Sequence, residues 1–95
     1  MPASGAEVPS YRLRAEVVAY HLPGRTASGL PTGVGIVAVD PKVIPLGTRL
    51  FVPRYGMAVA ADTGSAIKGR VIDVWLPKAQ ARRWGRKTLI VTVFR

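Results

Sequence analysis

Apolar residues in this chain come in short runs broken by glycine, proline and polar turns, a rhythm that predicts strands rather than long helices. Val17-Val18-Ala19-Tyr20 is rich in strand formers. A loop from His21 to Thr32 follows, carrying Pro23, Gly24, Gly29 and Pro31. Val34 to Val39 is nearly all apolar and reads as a strand buried on both faces. Asp40 to Thr48 is a turn-rich connection, since Pro41 and Pro45 are excluded from a central ladder. Arg49 to Val52 alternates as a strand, Pro53 to Gly56 turns, and Met57 to Ala61 returns as its hairpin partner. Asp62 to Gly69 is a glycine-punctuated loop, Arg70 to Trp75 the next strand, and Lys87 to Phe94 the last.

One helix is expected near residues 77–84. Pro77 suits a first helical turn, Gly85 suits the stop, and Arg82 and Arg83 sit favourably at the negative end of the dipole. About six short strands and one short helix predict a mainly β fold, and closing them into a small barrel hides the strand edges. The 95 residues fit one domain over 10–95, with Met1 to Pro9 as a flexible N-terminal segment. There is no cysteine, hence no disulfide frame and no thiolate metal site. No apolar stretch reaches the ~20 residues of a membrane span, and no signal peptide is visible.

Charge sharpens the picture. The net charge is +9, with Arg82, Arg83, Arg86 and Lys87 in one block and Arg12 and Arg14 near the other end. This implies attraction to polyanions: nucleic acid, anionic lipid or an anionic cell wall. Against that background only five residues are acidic, and three of them adjoin apolar runs. Asp40 ends Val34–Val39, Asp62 ends Met57–Ala61, and Asp73 interrupts Val71-Ile72-Asp73-Val74-Trp75. An ionised carboxylate next to a core is expensive without a partner. Asp73 is the best placed for acid catalysis, because an apolar setting raises a carboxyl pKa. Strand alternation also puts it on the same face as Trp75, an indole on which a sugar ring can stack. The competing interpretation makes Asp73 an interior acid paired with Lys68 or Arg70. Asp62 before Thr63-Gly64, and Asp40 before Pro41, taken singly read as structural turn residues rather than as chemistry. Thr26, Ser28, Thr32 and Thr63 supply loop hydroxyls suited to binding a sugar.

Other chemistries find little support. The three aspartates lack the spacing of a hard-cation loop, and His21 is the lone histidine, so neither magnesium nor zinc is expected. There is no nucleophile elbow. Gly33-Val34-Gly35 lacks the third glycine of a dinucleotide fingerprint, and Gly64 to Lys68 lacks the ending of a phosphate loop. No cofactor is expected.

Taken in order, several segments resemble the 3D domain family, named for its three aspartates. They are Thr26-Ala27-Ser28-Gly29, Gly35 to Pro41 with Ile44-Pro45-Leu46-Gly47-Thr48, Ala61 to Gly69, Ile72-Asp73-Val74 and Ala81 to Gly85. The likeness runs from about Val17 to Val93. The family includes the catalytic domain of the MltA-type lytic transglycosylases and stationary-phase cell-wall proteins. It implies a six-stranded double-psi β-barrel with an acidic groove, and cleavage of the β-1,4 bond between N-acetylmuramic acid and N-acetylglucosamine to a 1,6-anhydromuramoyl end. By this resemblance Asp73 is the catalytic acid, assisted by Asp62. Asp40, Thr26, Ser28, Thr63, Gly64, Lys68 and Trp75 are expected to line the substrate site. The implied partners are peptidoglycan glycan strands and anionic cell-wall polymers, and the implied place is the cell wall or exterior. Two alternatives remain beside it: an expansin-like module that binds or loosens the wall without cleaving it, and a basic nucleic-acid-binding barrel with steeply salt-dependent affinity.

Overall fold

Strict alternation shapes the first strand of the computed structural model, which describes residues 9–95. Strand β1 spans Ser10–Tyr20, with Leu13, Ala15 and Val17 buried between the outward Arg12, Arg14 and Glu16. It begins well before Val17, because Tyr11 to Glu16 already carries the period-two pattern of a half-buried strand. The remaining elements are β2 Ile36–Ala38, β3 Arg49–Val52, β4 Gly56–Asp62, β5 Val71–Trp75, helix α1 Lys78–Trp84 and β6 Lys87–Phe94. β2 is shorter than its apolar run, since Val34 and Gly35 form a turn in which Gly35 takes φ 95°. Pro77, with φ −54° and ψ 149°, precedes the helix as its N-cap rather than joining its first turn, and Gly85 ends it at φ 70°. The N-terminal segment expected at residues 1–9 lies, apart from Pro9, outside the described residues.

The strands close in the order β1-β5-β2-β4-β3-β6. Two pairs are parallel, β1 with β5 and β2 with β4, while β2–β5, β3–β4, β3–β6 and β1–β6 are antiparallel. This is the mainly β, six-stranded double-psi barrel with one short helix that the resemblance implied. Its interior is filled by Val17, Val37, Leu50, Val52, Ile72, Val74, Val91 and Val93, all nearly free of solvent. Ala58 and Ala60 complete it on β4.

Trp84 anchors α1 to the barrel. It is buried, and its indole N–H donates to the Val17 carbonyl at 3.0 Å. Its ring meets Tyr55 edge-on at 6.5 Å. Tyr55 in turn ties two strands together: its hydroxyl donates to the Trp75 carbonyl (2.8 Å) and accepts from the Gly35 N–H (2.7 Å). The entry to β2 is thereby fixed to the exit of β5, two of the three strands on which the acidic site is built.

Candidate active site

The site starts from a register irregularity. Val37 pairs with Ala60, but the next residue, Ala38, pairs with Asp62, so Ala61 is the extra residue of a β-bulge. Without the bulge, Asp62 would keep the parity of Ala58 and Ala60 and face the core. With it, Asp62 emerges on the outer face beside Ala38. On the other side Ala38 pairs with Asp73, whose neighbours Ile72 and Val74 point inward. Asp62 and Asp73 therefore flank one small residue, two strand spacings (roughly 10 Å between Cα atoms) apart. Ala38 is buried between them, on the same face of the barrel wall.

The two carboxyls have different surroundings. Asp62 Oδ1 accepts the N–H groups of Ala27 (3.0 Å) and Thr63 (2.9 Å), and Oδ2 lies 3.5 Å from the Tyr20 hydroxyl, which donates to it. Asp73 has no such support: its Oδ1 is buried with no hydrogen-bond partner. Burial pushes the Asp73 carboxyl up from 3.8 to about 6, and the negative charge of Asp62 adds to the effect. Neither Lys68 nor Arg70 pairs with Asp73; the ion pair among the described residues joins Arg86 to Glu16. The arrangement is one carboxylate propped by donors beside one half-buried carboxyl whose Oδ1 has none, a division of environments that pushes the two affinities for a proton apart.

Asp40 lies apart from this pair. Its Oδ2 accepts the Gly69 N–H at 2.8 Å and its Oδ1 the Lys42 N–H at 3.0 Å, while its carbonyl receives Val43 and Ile44. The Gly69 and Lys42 N–H bonds hold its carboxyl below the ordinary 3.8, with Lys68 and Lys42 adding smaller effects. Asp40 thus clasps the 40–44 turn to the end of the 62–69 loop. Gly64 has a packing reason as well: a Cβ there would stand 3.0 Å from Ile67 Cγ1.

Two of the loop hydroxyls meet each other, while Ser28 and Thr63 are exposed. Thr26 is buried and its hydroxyl pairs with that of Ser28 at 3.0 Å. The loop reaches the acids through backbone instead, by Ala27 N–H on Asp62 and Ser28 N–H on the Ala61 carbonyl at 3.1 Å. Thr63 likewise acts through its N–H. Trp75 sits half-buried beside the groove, with its indole N–H donating to the Leu22 carbonyl at 2.9 Å. Lys68 is exposed on the loop held by Asp40.

One residue of the site escaped the sequence analysis. Tyr20 pairs with Trp75 across β1 and β5, and its hydroxyl reaches Asp62. Burial, then the charges of Asp62 and Asp73, hold its phenol well above the usual value, so it remains a donor. The usable signal was the polar tip at the end of an apolar strand, which alternation alone does not orient toward a particular acid. Among the described residues no three His, Asp or Glu side chains are grouped closely enough to hold a metal ion. None of the described helices is long and apolar enough to cross a membrane.

Comparison with known proteins agrees with this geometry. The cell wall-binding protein YocH of Bacillus subtilis (strain 168) is 51% identical over 75 residues, covering 74% of this chain and 26% of YocH. YabE of the same organism, named for cell wall shaping, is also 51% identical over 75 residues, 74% of this chain and 18% of YabE. The chain thus spans about a quarter or less of those relatives. Among solved structures, E. coli MltA with bound chitohexaose superposes with a TM-score of 0.64 at 30% identity, over 78% of this chain and 28% of MltA. The 3D domain matches residues 35–95, a stretch that contains all three aspartates, and the chain belongs to the 3D domain family.

Proposed function

We propose that this domain is a peptidoglycan lytic transglycosylase acting outside the cell or in the wall, with Asp73 as its single acid and base. The observation that carries the proposal is the half-buried Asp73 carboxyl, pushed up to about 6, set on the same outer face as Asp62 with its buried Oδ1 unpartnered. A carboxyl with that affinity for its proton donates readily near neutral pH. In the first step it protonates the glycosidic oxygen, and the bond from that oxygen to muramic C1 breaks. Positive charge develops at C1, and the negative charge of Asp62 opposes it across the groove. In the second step the C6 hydroxyl of the same sugar attacks C1, and its proton passes to Asp73. The 1,6-anhydro ring closes and the acid is regenerated. No water and no second reacting carboxylate are required, in contrast to hydrolytic glycosidases.

The other expected site residues take their parts in the same reading. Tyr20, with the Ala27 and Thr63 N–H groups, holds Asp62 in place. Trp75 offers the groove an aromatic edge. Asp40 and Gly64 shape the loop that carries Lys68 rather than touching sugar. The likeness to MltA at 30% identity supports the reaction class.

A second proposal, binding without turnover, is favoured by one observation: YocH is named for cell wall binding. Incubation with purified sacculi separates the two. Soluble 1,6-anhydromuropeptides identified by mass spectrometry, lost in Asp73→Asn, support cleavage. Sedimentation with sacculi and no anhydro product at high protein loading supports binding alone. Undiminished turnover by Asp73→Asn would remove Asp73 from the acid's role.

A further inference from the structure

Beyond the end of β5 lies a cationic pocket that the chemistry above does not use. It has a volume of about 230 Å³ and is lined by Arg54, Leu76, Gln80, Arg83, Trp84 and Lys87. Three of the six are cations and none is acidic. Lys87 is held in place, its ammonium donating to the Trp84 carbonyl and lying 4.6 Å from the Trp84 ring centre. Arg54 arrives by an unusual backbone route. It is the sole non-glycine residue with positive φ among those described, at 70°. It follows Pro53 in a turn closed by Tyr55 N–H on the Val52 carbonyl at 3.0 Å. That position ordinarily belongs to glycine or asparagine. A large cation in a conformation that disfavours it, aimed into a pocket with two further cations, is a local rule broken where an anion would compensate.

The pocket is joined to the groove by the backbone. Leu76 lines it, and the Leu76 N–H donates to the Tyr20 carbonyl at 2.9 Å. Leu76 lies three residues along from Asp73, about 10 Å in extended chain. We propose that this pocket receives a carboxylate of the acidic peptide carried by muramic acid, so that the domain prefers peptide-bearing glycan over bare glycan. This rests on the peptidoglycan reading above. Arginine forks and a lysine ammonium suit a planar carboxylate, and the separation matches a short peptide leaving the sugar bound at Asp73.

Equilibrium binding tests the pocket without turnover. The probes are N-acetylmuramoyl tripeptide with free carboxylates, the same compound amidated, and chitohexaose, each titrated into the ¹⁵N-labelled domain and followed by NMR. The free acid is expected to bind about tenfold tighter than the amide, the worth of one charge-assisted contact. Arg83→Ala and Arg54→Gly should each erase most of that difference. Arg54→Gly should also raise the melting temperature, since glycine accepts positive φ, so weaker binding cannot be ascribed to unfolding. Equal affinity for acid and amide, or unchanged preference in both variants, would overturn the proposal. So would a poly(glycerol phosphate) competitor that binds this pocket more tightly than the peptide. Acid-selective binding alongside a negative anhydro-product assay would uphold the pocket and refute only the catalytic proposal.

Discussion

Replacing Asp73 by Asn should stabilise the domain at neutral pH while abolishing cleavage. Its carboxyl is pushed from 3.8 to about 6 in the folded state, burial being the main cause and Asp62 the second. Because the folded pKa is raised, the native state holds more protons than the unfolded chain between those two values. Stability is then greatest below the unfolded pKa and falls as pH rises through the folded one. The full gap converts to about 3 kcal/mol, and solvent reaching the half-buried carboxyl reduces this to about 1.5–2 kcal/mol. Asn keeps the shape and removes the charge, so it should recover that amount at pH 8, or about 6–12 °C in melting temperature for a domain of this size. Below pH 4 wild type and variant should converge. Asp40 contributes with the opposite sign, its depressed carboxyl losing stability as pH falls, but it is common to both proteins and cancels in the difference. Urea denaturation of each at pH 4, 6 and 8 measures the effect. A variant that is neutral or less stable at pH 8, or a difference independent of pH, would refute a destabilising ionised Asp73.

Three further outcomes follow from the same contacts. Asp62→Asn retains an oxygen for the Ala27 and Thr63 N–H groups but removes the charge, so the alkaline limb of the cleavage–pH profile should move downward from about 6, by less than the part due to burial. An unmoved limb in a steady-state pH series would show that Asp62 does not act through Asp73. Asp40→Ala should speed hydrogen exchange at the Lys42 and Gly69 amides while leaving the β1 amides protected, read residue by residue in an NMR exchange series. Trp84→Ala strips the indole bond to Val17, the edge contact with Tyr55 and the seat of Lys87, and should lower unfolding free energy by about 3–5 kcal/mol in urea titration.

Which parts of this architecture were legible in the chain depends on what each part is made of. Period-two alternation and turn residues located the strands, and even β1, which starts seven residues before the expected Val17, carried its pattern openly from Tyr11 to Glu16. Proline and glycine bracketed the helix, though Pro77, with its extended ψ, stands outside it. The pairing order was not written in any local pattern. Parallel partners such as β2 and β4 are chosen by how whole faces pack, and the family resemblance supplied the kind of barrel without naming the partners. For the same reason the sequence shows the hydroxyls of Thr26 and Ser28 but neither their contact with each other nor the Ala27 N–H that the loop presents to Asp62. Hydroxyl positions are visible in a sequence; a backbone amide that becomes a ligand is not.

The inequality of the three aspartates shows this dependence most clearly. All three adjoin apolar runs, so composition treats them alike. What separates them is the number of donors that the fold supplies. Asp40 has a backbone N–H on each oxygen and becomes a clasp. Asp62 is turned out of the core by one extra residue, Ala61, and meets two N–H groups and a phenol. Asp73 meets none on its buried Oδ1, and the small Ala38 that stands between it and Asp62 offers it no donor. Each donor withheld from Asp73 raises its hold on a proton. On the proposed mechanism, the stability lost by ionising Asp73 and its capacity as an acid have one origin. A donor engineered against its Oδ1, for instance Ala38→Ser, should raise stability at pH 8 and reduce cleavage together; a gain in one without a loss in the other would separate the two effects.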